Sequence, residues 1–383
     1  MRFKEIPGNI AVKKQLINIA KNNRIGHAYL FCGKSGSAKL ALAFAYARYL
    51  NCENREEEDS CKKCPSCVKY KTLSHPDLHL TFPVLKIDGA KSVVSDKFIL
   101  RWRDFMLKNI YGSLNNWIDT FGKENKKGET GSIYKDEAIL IHKKLELKSF
   151  EALYRVFLIW MPEQMNIEAS NKLLKLLEEP PGGTVFLLVS EEPWLLLPTI
   201  KSRLQTIKIH NFISEDIIEF FSKKNLDIKK TNQLINIAGT DLGEMIQIEE
   251  EGFETVDLFD DFSLWMRLAY KIDMVSISKW VESISIMGRK HQKLFLLYAL
   301  KIVRECLIFN FGNKSLLKTN KKELDFISRF SAFIHEENSV IIIEELEKAT
   351  KAISRNANAK ILFFELSLQM IKFLKVKRKF IIN

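Results

Sequence analysis

The sequence predicts an α/β protein: a parallel, helix-covered sheet domain entered through a phosphate-loop-like turn, carrying a cysteine-rich insertion and followed by an all-helical region. Three observations predict it. Apolar runs at 28–32, 155–160 and 184–190 read as strands buried on both faces, and they alternate with helical patterns. The first run leads into a glycine-containing turn at 33–40 and then an apolar helix. Four of the six cysteines, Cys52, Cys61, Cys64 and Cys67, fall within sixteen residues just after that helix.

Composition sets the frame. A chain of 383 residues is long enough for two or three domains, and 46% hydrophobic content with 26 phenylalanines supplies their cores. No run approaches the roughly 18–20 apolar residues of a membrane span, and the N-terminal residues lack a signal core, so a cytoplasmic protein is expected. Net charge is +12, from 59 basic and 47 acidic residues, which favours a polyanionic neighbour.

In chain order, residues up to about 23 read as a helix with Ile10, Val12, Leu16, Ile17 and Ala20 on its apolar face. The turn after the first strand departs from the phosphate-loop template G-x-x-x-x-G-K-[ST] at two positions. Gly33 and Lys39 fit, and Gly36 adds freedom to the turn, but Ala38 stands for the second glycine and Leu40 for the metal-binding hydroxyl. Leucine cannot ligate magnesium. The architecture is therefore expected without the metal chemistry, and by itself the stretch also reads as an ordinary strand–turn–helix.

The cysteine cluster contains two consecutive C-x-x-C steps, with Pro65 and Ser66 suiting a tight knuckle. In a cytosolic protein such spacing points to a metal rather than to disulfides. Four thiolates satisfy tetrahedral Zn²⁺ and leave no position for water, which makes a structural site; an iron–sulfur cluster is the alternative. The acidic residues Glu56, Glu57, Glu58 and Asp59 read as a solvated loop tip, and Cys32 and Cys306 as buried small hydrophobes.

Between 80 and 150 the pattern blurs. A strand at 78–82, helices at 97–110 and 138–148, and a polar loop at 123–131 are expected, with no chemistry assigned. Residues 167–179 then form a strongly periodic helix with Leu173, Leu174, Leu176 and Leu177 as its stripe, stopped by Pro180, Pro181, Gly182 and Gly183. A last strand is expected at 205–209, after Ser202 and Arg203. Beyond Ile209 the chain reads as helical, with Ser214, Glu215 and Asp216 opening one helix and the 239–243 turn opening another. Helices at 294–310, 339–354 and 359–377 follow. Trp265 and Trp280 belong to a bundle core, and the tail cations Lys372, Lys375, Lys377, Arg378 and Lys379 read as solvated.

Together these motifs resemble the bacterial clamp-loader family of AAA+ proteins. The segment Ala169 to Pro181, containing Ser170-Asn171-Lys172-Leu173-Leu174 and Glu178-Glu179-Pro180-Pro181, is similar to that family's signature helix. Ser202-Arg203-Leu204 resembles its Ser-Arg-Cys motif, and the cysteine insertion its zinc module. The resemblance implies an AAA+ domain at 1–211, a small helical lid at 212–252 and an all-α collar at 253–383. It also implies a hetero-pentameric ring with gamma/tau-type ATPase subunits and delta, acting on a sliding clamp and primer-template DNA. Counted back from Asn171, the family's magnesium-binding aspartate and catalytic glutamate fall on Met161 and Pro162. Glu163 comes one position later, where an extended strand would turn it to the opposite face. The resemblance thus implies a subunit that binds no nucleotide productively at Gly33, Gly36 and Lys39 and does not hydrolyse ATP. It further implies that Arg203 acts in trans as an arginine finger in a neighbour's site; taken without the family, it is a surface salt-bridge arginine. Two other classes stand beside this one: an active gamma/tau-like ATPase, and a zinc-stabilised nucleic-acid-binding protein.

Overall fold

The computed structural model describes residues 1–86, 93–122, 131–250, 258–313, 316–317, 319–354 and 357–376. Most of the expected 123–131 loop and the tail cations from Lys377 onward lie outside the described residues. Two compact units are present: residues 1–231 with 240–251, and residues 232–239 with 252–383.

The first unit is built on five parallel strands in the order β2-β3-β4-β1-β5. They are β1 (Ala28–Cys32), β2 (Leu78–Thr81), β3 (Arg155–Trp160), β4 (Thr184–Ser190) and β5 (Gln205–Lys208). Helices in this unit are α1 (Ile10–Lys21), α2 (Lys39–Leu50), α3 (Pro65–Lys71), α4 (Ile99–Lys108), α5 (Leu114–Asp119), α6 (Lys135–Glu146), α7 (Ile167–Glu178), α8 (Pro198–Lys201), α9 (Ser214–Ser222) and α11 (Leu242–Glu250). α10 (Ile228–Ala238) is divided between the units.

Strand periodicity explains the layers. On one face Leu30, Phe157, Ile159, Phe186 and Leu188 pack with Leu173 and Leu177 of α7 and Ile141 and Leu145 of α6. Of the expected α7 stripe, Leu173 and Leu177 are wholly buried and Leu174 and Leu176 partly so. The alternate residues face α2, where the Tyr29 and Tyr46 rings meet edge-on at 5.6 Å. Every residue of α2 is buried, including Arg48. A helix apolar on all sides is one enclosed by protein.

The blurred 80–150 stretch forms its own aromatic core at the end of β3. Trp102 stacks on Phe82 at 4.3 Å and meets Trp160 at 4.8 Å and Trp117 at 5.0 Å. Trp117 Nε1 donates to the Pro83 carbonyl at 2.7 Å. Glu137, 2% exposed, ties α6 to β2 by accepting from Thr81 Oγ1 and the Ser95 amide.

Three expectations change. Ile10, expected on the apolar face of α1, is 65% exposed, while Val12, Leu16, Ile17 and Ala20 are buried. Asp59 is not solvated: its carboxylate is fully buried and accepts from the amides of Phe3, Lys4 and Ser60, capping the N-terminal turn. Cys32 is only half buried, whereas Cys306 is buried as expected.

The second unit is helical: α12 (Leu258–Lys271), α13 (Met274–Ile286), α14 (Gly288–Phe311), α15 (Lys321–Phe330), α16 (Glu336–Ser354) and α17 (Ala359–Phe373). Trp265 and Trp280 stack in its core at 5.3 Å, and Trp265 Nε1 donates to Ser367 Oγ at 2.8 Å. Among the described residues no helix is long and apolar enough to cross a membrane.

Asp77, 2% exposed, holds the return into β3 by accepting from the amides of Phe150, Glu151 and Ala152 at 2.6, 2.9 and 2.8 Å. Burial pushes its carboxyl up, but the three amides outweigh that and leave it below its ordinary range. Its stabilisation is therefore present above the ordinary carboxylate pKa and is lost as pH falls through the native value. Asp77→Asn should cost less than Asp77→Ala, which is expected to remove about 1–3 kcal/mol at neutral pH. The difference between the parent and each variant should narrow in acid, Asp77→Asn nearly reaching the parent, as urea titrations at the two pH values will show.

Candidate functional site

The phosphate-loop-like turn lies where β1 ends and α2 begins. Gly33 donates to the Ser190 carbonyl, and a side chain there would press on Ser37 Oγ and the Ile209 carbonyl. Gly36 has φ +69°, and a Cβ on it would collide with the carboxylate of Asp241. The chain thus forms an anion-cradling shape. The carboxylate of Asp241 lies against it. Asp241 caps α11 by accepting from the Glu244 amide at 2.8 Å, and the same carboxylate rests on Gly36 beside the Ser35 hydroxyl. Burial raises its carboxyl above the ordinary range, against the pull of that hydroxyl and Lys39.

Lys39 completes the arrangement. Its side chain is 3% exposed, its Nζ lies 2.8 Å from Glu191 Oε1, and it donates to the Lys34 carbonyl at 3.1 Å. Glu191 follows directly on β4. The ammonium that the template would offer to a phosphate is paired inside the protein. Leu40, 2% exposed, adds an apolar side chain where the template has a hydroxyl.

The end of β3 carries no carboxylate. Trp160 is in the aromatic core, Met161 is buried with φ 53° and ψ 57°, and Pro162–Gln164 form a 3₁₀ turn. The expectation that Glu163 sits on extended chain facing the opposite side is corrected by that turn. Glu163 Oε1 instead accepts from the amides of Glu191 and Glu192 at 2.7 and 3.1 Å. Burial pushes its carboxyl up while those amides hold it down. It fixes the segment that carries Glu191.

The four cysteines converge as their spacing predicts. One Sγ from each of Cys52, Cys61, Cys64 and Cys67 lies within 4.8 Å of all the others, and all four are free thiols. Cys64 caps α3 by accepting from the Cys67 amide, with Pro65 at the first helical position. Amides of Cys61 and Cys64 likewise point at the sulfurs of Cys52 and Cys61, at 3.2 and 3.3 Å. Burial raises the Cys52 and Cys64 thiols, whereas for Cys61 amide donation overcomes burial and brings the thiol down to about 6. The group could hold a metal ion.

Arg203 stands apart from these. It follows α8 in a turn, 35% exposed, with Nη2 2.8 Å from Glu178 Oε1 and Nη1 donating to the Thr199 carbonyl at 2.7 Å. Glu178 is the last residue of α7, so the Ser202-Arg203 turn is pinned to that helix. An exposed pair of this kind contributes at most about 1 kcal/mol.

Loop, cysteine cluster, α7 and Arg203 all lie within residues 8–212, which match the family model described as DNA polymerase III, delta subunit, and the chain belongs to that family. Its similarity to DNA polymerase III subunit delta′ of Bacillus subtilis (strain 168) is 26% identity over 311 residues, 80% of this chain and 79% of that protein. It is 30% identical to the delta′ subunit of Pseudomonas aeruginosa over 46% of this chain and 41% of that one. It is also 26% identical to subunit tau of Bacillus subtilis over 67% of this chain but only 34% of tau. The recurrence of delta′ proteins supports that branch.

Proposed function

We propose that the chain is a non-hydrolysing clamp-loader subunit of the replicative DNA polymerase, acting in the cytoplasm as a rigid arm of the loader. The observation that carries this reading is the filled phosphate seat: Lys39 is paired with Glu191, and Asp241 rests on Gly36. Phosphoryl transfer works by positioning and charge stabilisation, and Leu40, Met161 and Pro162 supply neither a metal ligand nor a base. The same residues oppose the active-ATPase reading that similarity to tau would otherwise favour.

On this reading residues 1–211 are a degenerate AAA+ domain, 212–252 a lid and 253–383 a collar. The partners are gamma/tau-type ATPases and delta in a hetero-pentameric ring, with the sliding clamp and primer-template DNA reached through the complex. Arg203 is the chain's direct contribution to chemistry. Its guanidinium, held by an exposed pair with Glu178 and a bond to the Thr199 carbonyl, exchanges that carboxylate for the γ-phosphate in the neighbouring subunit's site. There it stabilises charge on the transferring group.

The metal in this reading is structural Zn²⁺. A tetrahedral ion with Zn–S of about 2.3 Å sets the sulfurs about 3.8 Å apart, and the cysteines already sit within 4.8 Å of one another. Cys52, Cys61, Cys64 and Cys67 would hold it, and with four thiolates it would brace the start of α3 without taking part in catalysis.

Elemental analysis of protein purified without chelator should give one zinc per chain. Cys64→Ser should lose the metal and lower thermal stability sharply, since such sites bind with on the order of 10 kcal/mol. Iron in place of zinc, or no metal at all, would refute the assignment.

A loader reconstituted with Arg203→Ala should assemble normally and lose part of its DNA-stimulated ATPase and clamp loading. Trans-acting fingers contribute about 10³–10⁵ in rate at the single site they serve. Arg203→Lys should not restore activity, because an ammonium lacks the planar fork. Full ATPase from a properly assembled Arg203→Ala complex would reduce Arg203 to a surface residue.

A further inference from the structure

We propose that a pocket in the second unit binds an apolar side chain carried on an acidic peptide segment of a partner protein. The inference does not depend on the filled phosphate seat or on Arg203. The pocket has a volume of about 250 Å³ and lies between α12, α15 with the turn after it, and the end of α17. That volume suits one aromatic or branched side chain. Met266, Phe330 and Leu374, each less than a tenth exposed, form its floor. Aromatic rings wall it: Tyr270 meets Phe333 at 5.0 Å, and Phe326 stacks on Phe330 at 5.0 Å.

Its charge is one-sided. Arg267 of α12 and Arg329 of α15 line it, and among the described residues no carboxylate does. Among the described residues Arg267 has no ion pair, and Arg329 spends only its Nε, on the Asp325 carbonyl at 3.2 Å. Two exposed guanidiniums, from helices far apart in sequence, therefore flank one apolar hole. A concave apolar site with a few convergent polar groups is the usual form of a binding pocket. Carboxylates beside the inserted side chain would receive charge-assisted bonds from the two arginines.

The lining also says which macromolecule fits. A nucleobase inserted to the floor would lose water from its polar edge, and Met266, Phe330 and Leu374 there offer it no strong hydrogen-bonding partner, because the polar lining side chains Arg267, Tyr270 and Arg329 are the exposed ones. An apolar side chain has no such edge to desolvate. The arginines then read the flanking charge rather than a phosphate backbone.

The test uses the full-length chain and a fluorescein-labelled peptide, Gly-Asp-Glu-Phe-Asp-Gly, followed by fluorescence anisotropy. Saturable binding weakened by salt is expected, with a Kd in the range of about 10–100 μM. The same peptide with Ser in place of Phe should bind at least about tenfold more weakly, since it cannot fill the hole. Arg267→Glu and Arg329→Glu should each weaken binding by about tenfold or more. Both positions are at the surface, so circular dichroism should be unchanged. Arg304→Glu, an equal charge change at an exposed residue of α14 outside the pocket, should have no effect. Four results would overturn the proposal: no binding at about 1 mM peptide, equal binding of the Ser peptide, an equal loss in Arg304→Glu, or displacement of the peptide by oligothymidylate that itself depends on Arg267 and Arg329. The last would assign the pocket to nucleic acid.

Discussion

An ammonium that is 3% exposed must have a partner, and for Lys39 that partner is Glu191, 2.8 Å away at the end of β4. A buried ammonium without a counter-charge is costly, and Glu191, 21% exposed, supplies that charge. The pair therefore ties the first turn of α2 to the end of β4. Glu163 holds the same strand end from the other side through the Glu191 and Glu192 amides. Asp241 adds a third acid, joining α11 to Gly36. The turn that in an active loop waits open for phosphate is here a closed junction of α2, β4 and α11. Its shape is kept because those elements are packed on it.

The end of β3 is closed by different means. There the aromatic side chains of Phe82, Trp102, Trp117 and Trp160 fill the space beyond the strand. Aromatic contacts of this kind add about 0.5–1.5 kcal/mol each beyond area burial. The proposed loss of hydrolysis thus rests on two physical features, an ion pair at the loop and a packed aromatic core at the neighbouring strand.

Local features of this chain were legible in the sequence. β1, β3 and β4 declare themselves because strands buried on both faces are continuous apolar runs, and α7 because its leucines keep helical spacing and two prolines stop it. The cysteine spacing foretold the convergence of four sulfurs, which needs only a short knuckle. What escaped was non-local. Asp241 reads as an ordinary helix cap, and nothing nearby in the chain says that its carboxylate meets Gly36. Glu191 reads as the first polar residue after a strand. Asp59 stands in an acidic run and looks solvated, yet the Phe3, Lys4 and Ser60 amides claim it. The 80–150 stretch blurred because its core is built from widely spaced aromatic residues on short helices, whose pairing only the fold reveals. Arg203 stands out through its Ser-Arg motif, but its tether to Glu178 depends on how α7 ends.

The central claim is that the chain's own carboxylates occupy the phosphate seat, and calorimetric titration of ATP into the purified protein tests it most directly. The parent chain should show no binding, with or without magnesium, at concentrations up to about 1 mM. Replacing the two internal acids together, Glu191→Gln with Asp241→Asn, should release Lys39 and Gly36 and produce measurable magnesium-independent binding that Lys39→Ala abolishes. Binding of ATP by the parent chain, lost on Lys39→Ala, would contradict the account.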